Sequence, residues 1–189
     1  MKKLLIVLCA GLLFSACGKK PTIEIKLDGQ PIPFETKSGW ITAQDAIYGS
    51  GSGEQKHALR WITLRNYEYQ VKGALAANEG KLSADQVKLF LSLHDEAGTN
   101  RDTPIKVSTF NGGKAGAMQF EFLNLTVFKD GKEVSYQVSL SGQDNRKDSE
   151  VKILSVTNDS VTGEINISVK TDARVLTIKG PFTAKIFKP

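Results

Sequence analysis

The stretch from His94 to Asp102, HDEAGTNRD, gathers an imidazole, three carboxylates and an amide within nine residues. Oxygen donors at that density suit a hard cation such as Ca2+, and Asp95, Glu96, Asn100 and Asp102 are the candidate ligands. The spacing lacks the central glycine and closing glutamate of an EF-hand loop, so the expected state is a solvated loop and no metal is assigned. The chain has one other histidine, His57. A nucleophilic triad would need one of the two beside a serine on a strand-to-helix elbow. The glycine-serine run containing Gly49, Gly51 and Gly53 leads into Glu54, Gln55 and Lys56. It has neither the following helix nor the lysine and hydroxyl that close a phosphate-binding loop, and reads as a hairpin tip.

The acidic stretch DNRKDSE, residues 144 to 150, carries Arg146 and Lys147 among its acids, which weakens it as a cation site. Facing carboxylates for glycoside hydrolysis are a spatial property that spacing does not reveal. Trp40, Trp61, Tyr48, Tyr67 and Tyr69 supply either a sugar-stacking platform or core packing; Trp61, within ALRWITL, reads as part of a central strand. The residues therefore assign no catalytic group and no cofactor.

The elements that must position these side chains are strands. Ile23, Ile25 and Leu27 alternate before Asp28-Gly29, and Val87, Leu89, Leu91 and Leu93 alternate with Lys88, Ser92 and His94. In LSADQVKLFLSL, Ser83 and Gln86 have capping-box spacing, but the alternation favours a turn followed by a strand over a short helix. A type I′ turn at Asp130-Gly131 would set Val127 against Val134, Leu125 against Tyr136 and Leu123 against Val138. Met118, Phe120 and Phe122 have the opposite parity to Leu123, which predicts a bulge near Phe122 and Leu123. A loop of Asn158 to Ser160 would set Ile153 opposite Ile165 and Val151 opposite Ile167. Pro181 marks a strand start or an edge, with Phe182, Ala184 and Ile186 alternating after it. Nine or ten short strands predict an all-β antiparallel β-sandwich, with a β-barrel as the alternative.

The chain opens with Met1, Lys2 and Lys3, then runs apolar from Leu4 to Phe14. Eleven residues span roughly 16 Å as a helix, about half a bilayer's hydrocarbon core, as in a signal peptide and not a transmembrane anchor. Phe14, Ser15, Ala16 and Cys17 then resemble the lipobox of bacterial lipoprotein precursors. That resemblance implies cleavage after residue 16 and a diacylglycerol on the Cys17 sulfur, holding the protein to a membrane. It also makes the glycosylation triplets at Asn124, Asn158 and Asn166 accidental.

The expected organisation is a signal peptide over 1–16, a lipidated cysteine and short tether over 17–22, and one β-domain over 23–189. Residues 18 to 22 reach at most about 18 Å, which keeps the domain near the bilayer. Cys9 would leave with the signal peptide, so the processed domain would have no thiol and no disulfide, cysteine nucleophile or zinc ribbon. Loss of Lys2 and Lys3 leaves 23 basic and 20 acidic residues, a formal charge of +3. No basic stripe of the kind nucleic acids select is present.

With the motifs GWITAQDAIYGSGSGEQKHALRWITLRNYEY, VTGEINISV and IKGPFTAKI, the order of parts resembles small exported bacterial β-sandwich lipoproteins. That resemblance carries no catalytic residue. The expected function is a non-catalytic one in the cell envelope: binding another envelope protein, a glycan or a small ligand. A glycan hydrolase with unlocated carboxylates and a structural or assembly lipoprotein are the alternatives. Gly18, where resembling enteric lipoproteins carry aspartate for inner-membrane retention, implies the outer membrane in a two-membrane cell.

Overall fold

The computed structural model describes residues 22–48, 54–71, 81–112, 118–139, 148–170 and 174–187. The predicted signal peptide, Cys17, residues 18–21 of the tether, the glycine run 49–53 and residues 144–147 lie outside them. The described residues form eleven strands: β1 (Glu24–Leu27), β2 (Gln30–Ile32), β3 (Ser38–Tyr48), β4 (Gln55–Arg65), β5 (Val87–Ala97), β6 (Ser108–Asn111), β7 (Gln119–Lys129), β8 (Lys132–Ser139), β9 (Glu150–Val156), β10 (Ser160–Lys170) and β11 (Val175–Ile186).

Of the two architectures that the alternation allowed, the pairing selects the barrel. Eight strands close in the order β3-β4-β5-β7-β6-β9-β10-β11 and back to β3, while β8 hangs from β7 and the β1-β2 hairpin from β11. Two parallel seams complete the ring. At one, Asn111 of β6 meets Gln119 of β7; at the other, Lys185 and Ile186 of β11 meet Trp40 and Ile41 of β3. All other pairings are antiparallel.

Alternate residues fill the interior. Ile41, Ile62, Leu64, Leu89, Leu91, Leu123, Leu125, Val151, Ile153, Ile165, Ile167, Leu176 and Ile178 are all buried in one cluster, as expected of an eight-stranded barrel packed with side chains. Asp130 (φ 51°) and Gly131 (φ 76°) are both left-handed, so β7 and β8 join by the type I′ turn, and the three predicted apolar pairs form. The turn before β5 also forms: Gln86 Oε1 accepts from the Ser83 N–H at 2.9 Å, a capping-box bond with no helix after it.

The β9-β10 register differs from expectation by two residues. Val151 faces Ile165 and Ile153 faces Gly163, with Leu154 left over as a bulge. A two-residue slip keeps every side chain on its own face, so alternation alone does not detect it. Pro181 is not a strand start but lies inside β11. One edge of β11 pairs with β10 throughout, whereas the other passes from β1 (up to Lys179) to β3 (from Lys185). Pro181 falls in the gap between these partners, where its missing N–H costs no ladder bond.

Candidate functional site

The gap in the outer edge of β11 opens into a cleft of about 610 Å3. Pro181, Thr183 and Lys185 of β11 and Thr162 of β10 line one side; Lys37 to Trp40 at the start of β3 line the other. The third wall is the segment after β4, which folds back across β3. Ser38 Oγ donates to Tyr67 O (2.8 Å) and Trp40 Nε1 to Tyr69 O (3.2 Å), while the fully buried Arg65 guanidinium lies 4.2 Å from the Tyr69 ring centroid. Gly39 permits this seam: a Cβ there would stand 2.4 Å from Thr183 O.

Trp40 anchors the cleft. Phe187 meets its ring edge-on at 6.4 Å, and the Lys185 ammonium stands 5.7 Å from its centroid. Trp40 is half-buried, so the contacts fix the indole while leaving part of it exposed. Glu35, Lys37, Glu68 and Lys185 place two charges of each sign around it. An aromatic surface with balanced polar groups can pack an apolar ligand face and hydrogen-bond its polar rim without selecting a net charge.

The sequence-derived candidates disperse otherwise. Asp95 binds Arg60, its Oδ2 accepting from Nε at 3.1 Å and Nη2 at 3.0 Å. Asn100 Oδ1 accepts from Asp102 N and Thr103 Oγ1 within a local turn, and Glu96 is exposed. These residues share no centre, and among the described residues no group of three His, Cys, Asp or Glu is arranged to hold a metal ion. Of the aromatic set, Trp40 and Tyr69 line the cleft and Tyr67 adjoins it through Ser38. Trp61 is outside the interior, half-buried on the outer face of β4 against Phe90 at 5.9 Å. Tyr48 meets His57 and His94 instead.

Those two histidines are joined directly, His57 Nε2 to His94 Nδ1 at 2.7 Å, and His94 Nε2 contacts Glu121 Oε2. Glu121 was not a candidate in the sequence. It is the bulge residue of β7: Ser92 faces Phe122 and Leu93 faces Phe120, leaving Glu121 without a partner on β5. Away from both sites, Glu150 holds the exposed Lys152 ammonium above the ordinary lysine range, first by a 2.6 Å hydrogen bond and then by its charge. Comparison with protein-family models, curated proteins and solved structures gives no match to this chain.

Proposed function

We propose that this chain is a lipid-anchored protein of the bacterial cell envelope whose β3–β11 cleft binds a glycan segment without catalysing a reaction on it. The observation that carries the binding is the convergence of Trp40 and Tyr69 with two carboxylates and two ammonium groups in one open cleft. Its volume of about 610 Å3 falls within the range of roughly 300–1,000 Å3 for small-molecule sites. The aromatic faces suit the C–H face of a sugar, and the polar rim suits its hydroxyls. Anchoring rests on the order of charge, apolar run, small residues and Cys17 at the start of the sequence.

Titration of detergent-solubilised full chain with soluble cell-wall glycan fragments, followed by tryptophan fluorescence, tests the binding. Trp40→Ala is expected to weaken affinity at least tenfold, and Trp61→Phe to leave it unchanged. No saturable binding by the wild type would overturn the glycan assignment. Glu35 and Glu68 both line the cleft, so the same incubations also read the hydrolase alternative. Shorter sugars produced by the wild type but not by Glu35→Gln or Glu68→Gln would replace binding by hydrolysis. For the anchor, metabolic labelling with a fatty acid should mark the wild type and not Cys17→Ala; equal labelling would refute lipidation at that residue.

A further inference from the structure

The His57, His94 and Glu121 chain lies apart from the cleft. Two interruptions of the ladder assemble it. Between β4 and β5, His57 faces Ala97 and Leu59 faces His94, so Asp95 and Glu96 together oppose Ala58; on β7, Glu121 is the extra residue. His57 and His94 are 3% and 6% exposed, whereas the Glu121 side chain is 39% exposed. At the inner end, His57 Nδ1 faces the Gln55 carbonyl at 3.2 Å.

Each contact in this chain needs one proton. The Gln55 carbonyl only accepts, so His57 Nδ1 carries a proton; the contact between the imidazoles takes a second, and the contact between His94 and Glu121 a third. With three protons every contact is satisfied: one imidazolium, one neutral imidazole and one carboxylate, with no net charge. Moving protons along the chain gives a second satisfied arrangement, in which Glu121 is protonated and both imidazoles are neutral, with the same total. With two protons, a pair of acceptors faces each other. With four, the central contact sets two N–H groups head to head, or Glu121 and His94 each point a proton at the other.

We propose that this chain is a single-proton clasp joining β4, β5 and β7, which loosens both when its proton is lost and when a further one is added. The groups facing it fit that role. From β3, the Tyr48 ring stands edge-on to both imidazoles, at 6.4 and 6.0 Å. From β4 comes the Gln55 carbonyl, and from β7 the Glu121 carboxylate and the buried Gln119, which lies opposite His94 in the backbone ladder. Asp95 of β5 is neutralised by Arg60 of β4, and Lys56 of β4 and Glu96 of β5 are exposed.

The sign of the pH dependence follows from the proton count. In the unfolded chain the carboxylate is ionised and two independent imidazoles titrate near the ordinary value of about 6.5. Well above that pH the unfolded chain binds two protons and the folded clasp three, so stability falls as pH rises. Well below it the unfolded chain binds four, so stability falls as pH falls. The contribution therefore peaks near pH 6.5, with the unfolding constant rising towards tenfold per pH unit on either flank while the clasp stays closed.

Denaturant unfolding of the detergent-solubilised full chain between pH 5 and 8.5 tests this, comparing the wild type with His57→Gln/His94→Gln. The difference in stability between them should be bell-shaped in pH; a flat or one-sided difference would overturn the proposal. Nitrogen-15 NMR of the histidine rings in the wild type gives an independent reading that needs no variant. Between pH 5.5 and 7.5 the ring nitrogens should report a constant total of three protons with Glu121, one of them shared across the imidazole pair. Rings that shed most of their two extra protons across that range, as two independent imidazoles do, would overturn it.

Discussion

Asp95→Ala is expected to lower the stability of the fold by about 3–5 kcal/mol, the usual cost of removing one partner from a buried ion pair. Arg60 shares its face of β4 with Ile62 and Leu64 and is 3% exposed. Its charge is held by Asp95 Oδ2 through Nε and Nη2, and Nη2 also donates to Thr103 O at 2.6 Å. Without Asp95 a buried guanidinium would keep the Thr103 carbonyl as an acceptor for Nη2 but lose the carboxylate that balances its charge. Arg60→Met/Asp95→Ala removes both charges and should recover much of the loss. Chemical denaturation of the three proteins checks both statements. A loss under about 1 kcal/mol in Asp95→Ala would mean that Arg60 finds water or another acceptor.

The second large effect is expected at Gly163. An added Cβ would stand 2.1 Å from Lys152 O and 2.6 Å from two atoms of the Phe182 ring. The first contact is with backbone of the neighbouring strand, so relief requires separating β9 from β10 and not a rotamer change. Gly163→Ala should therefore cost about 3 kcal/mol or more, at or above the upper end of ordinary overpacking. Phe182→Leu in the same chain should return part of that loss but not all of it, because the carbonyl clash persists. Thermal unfolding of the single and double variants distinguishes the two contacts; a melting temperature unchanged by Gly163→Ala would refute the close approach of these strands.

The parts of the fold that were legible in the sequence are those specified locally. Asp130-Gly131 fixes its own turn, so the partners of Val127, Leu125 and Leu123 follow from counting outward. The change of face before Leu123 showed in the sequence as opposed parity, and the bulge lies at Glu121, one residue before the predicted Phe122–Leu123. Alternation fixes a register only to within two residues, and at β9-β10 the bulge at Leu154 made that ambiguity matter. The sites were less legible. Trp40 and Tyr69 were two of five aromatics weighed as a sugar-stacking platform or core, but their cleft depends on the seam between β3 and β11, and no local pattern announces a parallel contact between strands so distant in sequence. His57, His94 and Glu121 are 37 and 27 positions apart along the chain, and two bulges bring them together. The one signal available was that both histidines fell on strands with alternating apolar residues.

The seam between Trp40 and Lys185 also has a consequence for the order in which the molecule is built. Its two partners are separated by roughly 145 positions, and the same distant strand supplies the antiparallel partner of β1. As the chain emerges N-terminus first, β3, β4 and β5 can associate as a meander before β11 has appeared, but their free edge stays uncovered until then. Closing so long a loop carries an entropic cost before it returns any contact energy, so ring closure belongs to the slow end of folding. A nascent chain halted before β11 would present the outer edge of β3 as a template for another strand, which makes this edge the natural point of attack for a chaperone or for self-association.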